Sequence, residues 1–378
     1  MLDDEAGKPA GSDDPVFIPA LQLCERFFEE AVRPILLESV PALRYSAALI
    51  GPGSDVLGYD TRRSTDHDWG PRLHLFMEEQ TYEELAGKIF TALSHHLPHQ
   101  FRGYSTHFGE PDAGGVRTQE AREAGPVAHK VEIHTLRRFS LDCLGVYPED
   151  GLSHVDWLIL PQQKLLEFTA GRVYQDGLGE LGPMRERLAW YSHDVWLYLM
   201  AAQWQRISQQ EPFMGRAAEV GDEIGSRLVA EMLVRDLMRL CFLLERRYAP
   251  YTKWFGTAFS RLNAAPVLTP SLQGTLRATT WQERERHLCT AYEAVTHLHN
   301  RLGITAPLAE HVSFFHNRPF RVIHGERFAA ALLDAIDDEA VRGLVTRVGL
   351  IGGIDQITDN VDVLSNPERY LKFRALYA

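Results

Sequence analysis

Asp66 and Asp68 stand two residues apart in "LIGPGSDVLGYDTRRSTDHDWG" (49–70), downstream of a glycine-rich turn that carries Gly53 and Ser54. On an extended strand that spacing projects both carboxylates from one face, roughly 6–7 Å apart at the backbone, so that they converge on one ion. Hard oxygen ligands gathered at one point are what Mg²⁺ takes from a protein, its other positions going to water and substrate phosphates. Glu132 in "KVEIH" offers a third, since an acid between apolar neighbours is costly unless it is paired with a cation. Glycine at 53 lets the backbone approach a ligand, while main-chain N–H groups and the Ser54 hydroxyl hold phosphate oxygens. The span therefore reads as a phosphate cradle beside a metal clamp.

The elements that must position these groups follow from periodicity. "RYSAALIG" (44–51) reads as a strand entering the turn, and "PRLHLFM" (71–77) as a second strand. "TYEELAGKIFTALSHHL" (81–97) has a helical stripe through Leu85, Ile89, Phe90 and Leu93. "VAHKVEIHTL" (127–136) is a third strand, with Val131 and Ile133 pointing opposite to Glu132. A helix precedes them from about Phe17 to Leu37. After Pro161 long helical periodicities take over, among them "QQKLLEFTAGRVY" and "IGSRLVAEMLVRDLMRLCFLLERRY". The expected fold is α+β: a tail over 1–15, a small mixed sheet with flanking helices over 16–155, and a mostly helical domain over 156–378.

Composition narrows the function classes. Asp and Glu outnumber Lys and Arg by 51 to 39, and the net charge of -12 argues against a broad surface for polynucleotide backbones. The four cysteines, Cys24, Cys143, Cys241 and Cys289, form neither a disulfide framework nor a zinc-ribbon spacing, which fits a reducing cytoplasm. No run of about 18 apolar residues is present, so no membrane span is expected. His95, His96, His99 and His107 are a candidate zinc cluster, though solvent-facing histidines are the commoner case. Asp355, Asp359 and Asp362 are expected to share a solvated helix face.

Gly53, Ser54, the spacer 55–65, the pair Asp66 and Asp68, and the later Glu132 together resemble the nucleotidyltransferase superfamily, the polymerase-beta-like fold. The strings "GSDVLGYDTRRSTDHDWGPRL", "YAPYTKWFGTAFSRL" and "IDQITDNVDVLS" look more closely like a bacterial branch of it usually described as a domain of unknown function. The resemblance implies Mg²⁺ or Mn²⁺ on Asp66, Asp68 and Glu132, an NTP as substrate, and Lys253 reaching the triphosphate from the helical domain. Its reaction is transfer of a nucleoside monophosphate to a hydroxyl or similar group of an unidentified small-molecule or protein acceptor. Two departures stand out: His67 sits between the paired acids where an apolar residue is usual, and the third acid is Glu.

Two other classes compete. A phosphohydrolase built on the pair His67 and Asp68 needs them on a helix, which Gly70-Pro71 would break. A catalytically silent nucleotide-binding or regulatory protein keeps the turn and loses the metal.

Overall fold

The computed structural model describes residues 15–66, 68–113 and 115–378. The expected tail lies outside the described residues but for Pro15, as do His67 and the side chain of Asp66. The fold is α+β, as composition and periodicity predict. Two compact units divide the chain: the described residues up to Phe139 together with Glu167–Arg185, and Ser140–Leu166 together with Glu186–Ala378.

The first unit is built on a four-stranded mixed sheet. Strands β1 (Ser46–Leu49) and β2 (Arg72–Phe76) are antiparallel. A two-stranded ribbon, β3 (Gln100–Phe101) and β4 (Tyr104–Ser105), stands apart from them. Strand β5 (Lys130–His134) runs parallel to β2, and β6 (Arg172–Asp176) runs antiparallel to β1, giving the order β5-β2-β1-β6. Parallel neighbours need a long crossover. Helix α3 (Glu79–His96) lies in that crossover, after α1 (Ala20–Phe27) and α2 (Arg33–Ser39), which a π turn over Phe28–Val32 joins. Arg172–Asp176 departs from the helical reading of "QQKLLEFTAGRVY": the helix stops at Thr169, and Val173 and Tyr174, both good strand formers, pair with β1.

Pleating sorts the side chains by parity. Ala47, Leu49, Leu73, Leu75 and Val131 join the apolar core with Leu23, Phe27 and Phe28 near the N-terminus and Ile89 and Leu93 of α3. Parity leaves Ser46, Ala48, Arg72, His74, Phe76, Lys130, Glu132 and His134 to the opposite face, which is the polar one.

The second unit is helical. It centres on Trp196, Trp204, Leu237, Leu240 and Tyr292, all buried on the helices His193–Gln210, Glu223–Leu244 and Trp281–Arg301. Asp355, Asp359 and Asp362 do not share a helix: Ile354–Ile357 and Val361–Leu364 are separate single turns, and Asp359 lies between them on Arg235 at 2.9 Å.

Glu211 in this unit is buried and accepts backbone N–H bonds from Ile323, His324 and Gly325. Burial pushes its carboxyl up to about 7 against the pull of those donors, with Glu326 adding to the rise. A raised carboxyl keeps its proton longer in the folded state than in the unfolded one. Stability is therefore expected to fall as pH rises from about 4.5 to about 7, by at most about 1.4 kcal/mol per pH unit. Denaturant titrations across that window check this. Glu211→Gln should lose that slope; equal slopes in both proteins mean that Glu211 is ionised throughout.

Candidate functional site

Glu132 lies on the polar face of the sheet, in register with His74 on β2, while His134 follows two residues later on the same face of β5. The nearest donor atoms form a small triangle. His74 Nδ1 is 3.2 Å from His134 Nε2, and Glu132 Oε2 lies 3.6 Å from His74 Nδ1 and 3.5 Å from His134 Nε2. Among the described residues this is the group of histidines, cysteines and acids whose ligand atoms close on one another. Phe139 packs its ring against both imidazoles, with centroids at 5.2 and 5.6 Å, and Phe76 lies beyond.

The charge states follow from these surroundings. Burial drives the His74 imidazole down to about 3, only partly offset by Glu132, so the ring is neutral at pH 7. Burial raises the Glu132 carboxyl, but the hydrogen bond from His134, the charges of His74 and His134 where they are protonated, and the Lys130 ammonium outweigh it and hold it at about 2. Both groups are poor proton carriers near neutrality and are suited instead to act as ligands or hydrogen-bond partners.

The acid stretch takes a different path from the one expected. Asp66 closes a 3₁₀ turn, Arg62–Asp66, rather than lying on a strand; Asp68 has φ 43°; and β2 begins only at Arg72, after Gly70-Pro71. Asp68 is salt-bridged to Lys130; its N–H donates to the Arg117 carbonyl and its carboxylate accepts from the Arg117 N–H, each at 3.1 Å. Lys130 thus stands between Asp68 and Glu132 along the polar face, two positions before Glu132 on its strand. Of the three acids, Asp68 pairs with the Lys130 ammonium and Glu132 sits among imidazoles, while the Asp66 side chain lies outside the described residues.

The glycine turn is tied down from beneath. Arg72 reaches both oxygens of Asp55 at 3.1 and 2.9 Å, with both residues buried. Gly53 has φ 136°, and a Cβ there would lie 2.1 Å from the Asp55 carboxylate, so this position requires glycine. Ser54 is half-buried, its carbonyl accepting from Tyr59 at 2.8 Å. Asp60 accepts from the backbone N–H of Ala20 at 2.8 Å and from Trp69 Nε1 at 3.1 Å, fixing the far end of the loop.

Lys253 lies in the second unit, exposed on the helix Thr252–Phe259, its ammonium 5.2 Å from the centre of the Trp254 ring. Three of the four candidate zinc histidines bind backbone: His96 Nδ1 meets the Ala92 carbonyl, His99 Nε2 the Gly125 carbonyl, and His107 Nδ1 accepts from Ala128 N, each at 2.8 Å. His74 carries in the sequence the signal that singled out Glu132, a polar residue between apolar neighbours, Leu73 and Leu75; His134, between Ile133 and Thr135, does not.

Residues 157–255 match a family described as a domain of unknown function (DUF4037). Neither the curated proteins nor the solved structures contain a match to the chain. The matched stretch includes Lys253 and excludes the sheet face with Asp68, His74, Glu132 and His134. No helix among the described residues is long and apolar enough to cross a membrane.

Proposed function

We propose that the polar face of the mixed sheet binds a nucleoside triphosphate and passes its nucleotidyl group to a hydroxyl of a small-molecule or protein acceptor. The observation that carries this reading is Lys130, ion-paired with Asp68 and on the same sheet face as Glu132 two residues on, in the unit that holds the glycine turn at Gly53 and Ser54. In it the Ser54 hydroxyl and neighbouring N–H groups take phosphate oxygens. Lys130 shares its charge between Asp68 and the phosphate chain, and the ionised Glu132 orients the acceptor hydroxyl for in-line attack on the α-phosphorus: the new O–P bond forms as the bond to the β-phosphate oxygen breaks, pyrophosphate leaves, and the hydroxyl proton passes to solvent water. The resemblance to the nucleotidyltransferase superfamily supports the same reaction class.

A silent nucleotide-binding protein is the second reading, favoured by the Lys130 ammonium that already neutralises Asp68. Thermal melts with each of the four NTPs and Mg²⁺, Mn²⁺ or Zn²⁺, followed by transfer of label from α-labelled NTP, separate the two. A bound nucleotide at a hundred times its Kd should add about 2.7 kcal/mol of stability. Stabilisation with label transferred supports the enzyme, and stabilisation without it supports the silent protein. With no stabilisation by any combination, both nucleotide readings fall.

A further inference from the structure

We propose that His74 Nδ1, Glu132 Oε2 and His134 Nε2 form a three-ligand centre for a late first-row divalent ion, Zn²⁺ foremost, with a further coordination position open to solvent. The inference shares Glu132 with the transfer reading, but needs neither Asp66, Asp68 nor a nucleotide, and so goes beyond it.

Geometry comes first. A tetrahedral ion with ligands at about 2.0–2.1 Å holds them about 3.3–3.4 Å from one another. The three separations here are 3.2, 3.6 and 3.5 Å. The spacing of the donor atoms is thus already that of a tetrahedral ion's ligands. The ligands also stand on two directly paired strands in fixed register, His74 opposite Glu132 and Phe76 opposite His134, so the triangle is held by the sheet and not by loops.

The surroundings match those of a ligating imidazole. His74 turns its Nε2 toward the backbone at Ile50 and Gly51, and a hydrogen bond to Ile50 leaves the Nδ1 lone pair facing Glu132 and His134. A backbone carbonyl on the second ring nitrogen is the usual way to fix a metal-binding histidine. The His74 side chain is 8% exposed and Phe139 covers both rings, while the Glu132 side chain is 49% exposed, so one side of the triangle is dry and the other reaches water. Three protein ligands with one wet position are the pattern of a zinc site that does chemistry rather than a closed structural one.

Donor type selects the ion. Two imidazoles suit Zn²⁺, Fe²⁺, Ni²⁺ and Cu²⁺, whereas Mg²⁺ demands oxygen ligands and gives up its water reluctantly. The same three residues joined only by hydrogen bonds, with no affinity for an ion, are the competing description, and the test must be able to return it.

Metal-stripped full-length protein is titrated calorimetrically with ZnCl₂ and, separately, with MgCl₂, in the absence of nucleotide. The expected result is one Zn²⁺ per chain with Kd of about 1 µM or tighter and no binding of Mg²⁺ in the millimolar range. His134→Ala and Glu132→Gln, both at partly exposed positions, should each weaken Zn²⁺ by at least roughly 10- to 100-fold while melting as folded proteins. Co²⁺ substituted into the wild type should give the strong visible bands of a four-coordinate centre, absent from either variant. Unchanged Zn²⁺ affinity in both variants, tighter binding of Mg²⁺ than of Zn²⁺, or no binding of either ion overturns the proposal. None of these results depends on whether the NTP melts succeed.

Discussion

Glu132→Gln is expected to lower nucleotidyl transfer by roughly 10²- to 10³-fold, the loss seen when one group aimed at a reacting centre is removed. The carboxylate is ionised at every working pH, held at about 2 by His134, His74 and Lys130 against the effect of burial, and it is half in water where an acceptor can meet it. Glutamine keeps the shape and removes the charge. The loss should fall on kcat, with KM for the NTP within about threefold, because in this reading the triphosphate is held by Ser54, the turn's N–H groups and Lys130. Glu132→Asp keeps the charge at shorter reach and should recover part of the rate. Because the group is half-exposed, screening keeps its contribution to folding small, and melts of the variant should stay close to wild type. A Glu132→Gln protein with full activity would remove Glu132 from the reaction.

The largest stability effect is expected at the buried pair under the glycine turn. Asp55→Ala and Arg72→Met each leave an uncompensated charge where the partners are 4% and 8% exposed, and breaking such a pair by removing one side costs about 3–5 kcal/mol. Arg72 holds both Asp55 oxygens at 3.1 and 2.9 Å, so neither charge has a ready substitute. The double replacement Asp55→Leu with Arg72→Met removes both charges and should recover most of that loss. Urea midpoints at unchanged m-value are the measurement. Single variants within about 1 kcal/mol of wild type would mean that water already reaches the pair.

Much of the sheet unit was legible because its strands alternate. "RLHLF" and "KVEIH" place apolar residues at every second position while "SAAL" is apolar after Ser46, and Ala47, Leu49, Leu73, Leu75 and Val131 reach the core. The stripe of α3 was equally plain, with Ile89 and Leu93 buried. The acid pair was not, since a carboxylate spacing says nothing about backbone angles: Gly70-Pro71 postpones the strand to Arg72, and Asp68 sits at positive φ. Two histidines of the candidate centre were missed although His74 lies between Leu73 and Leu75 as Glu132 lies between Val131 and Ile133. What sequence withheld was the parallel pairing of β2 with β5, which sets those polar positions side by side. The strand β6 was hidden because Val173 and Tyr174 continue an apolar rhythm begun by the preceding helix, and only the open edge of β1 selects the extended form.

That last strand orders events in time. Leaving the first unit at Phe139 and returning at Glu167 means that the sheet's outer strand is translated after twenty-seven residues, 140–166, that belong to the other unit. A nascent chain that has emerged only to residue 155 therefore carries β1 with one row of N–H and C=O groups bare, a template for pairing with any neighbouring chain. Only when Arg172–Asp176 has emerged can that edge be covered; Asp176 then accepts from the Ser46 hydroxyl of β1 at 2.7 Å and from the Gly182 N–H that follows it at 2.9 Å. The chain order alone therefore makes the time for which that edge is bare depend on how fast residues 140–176 are synthesised.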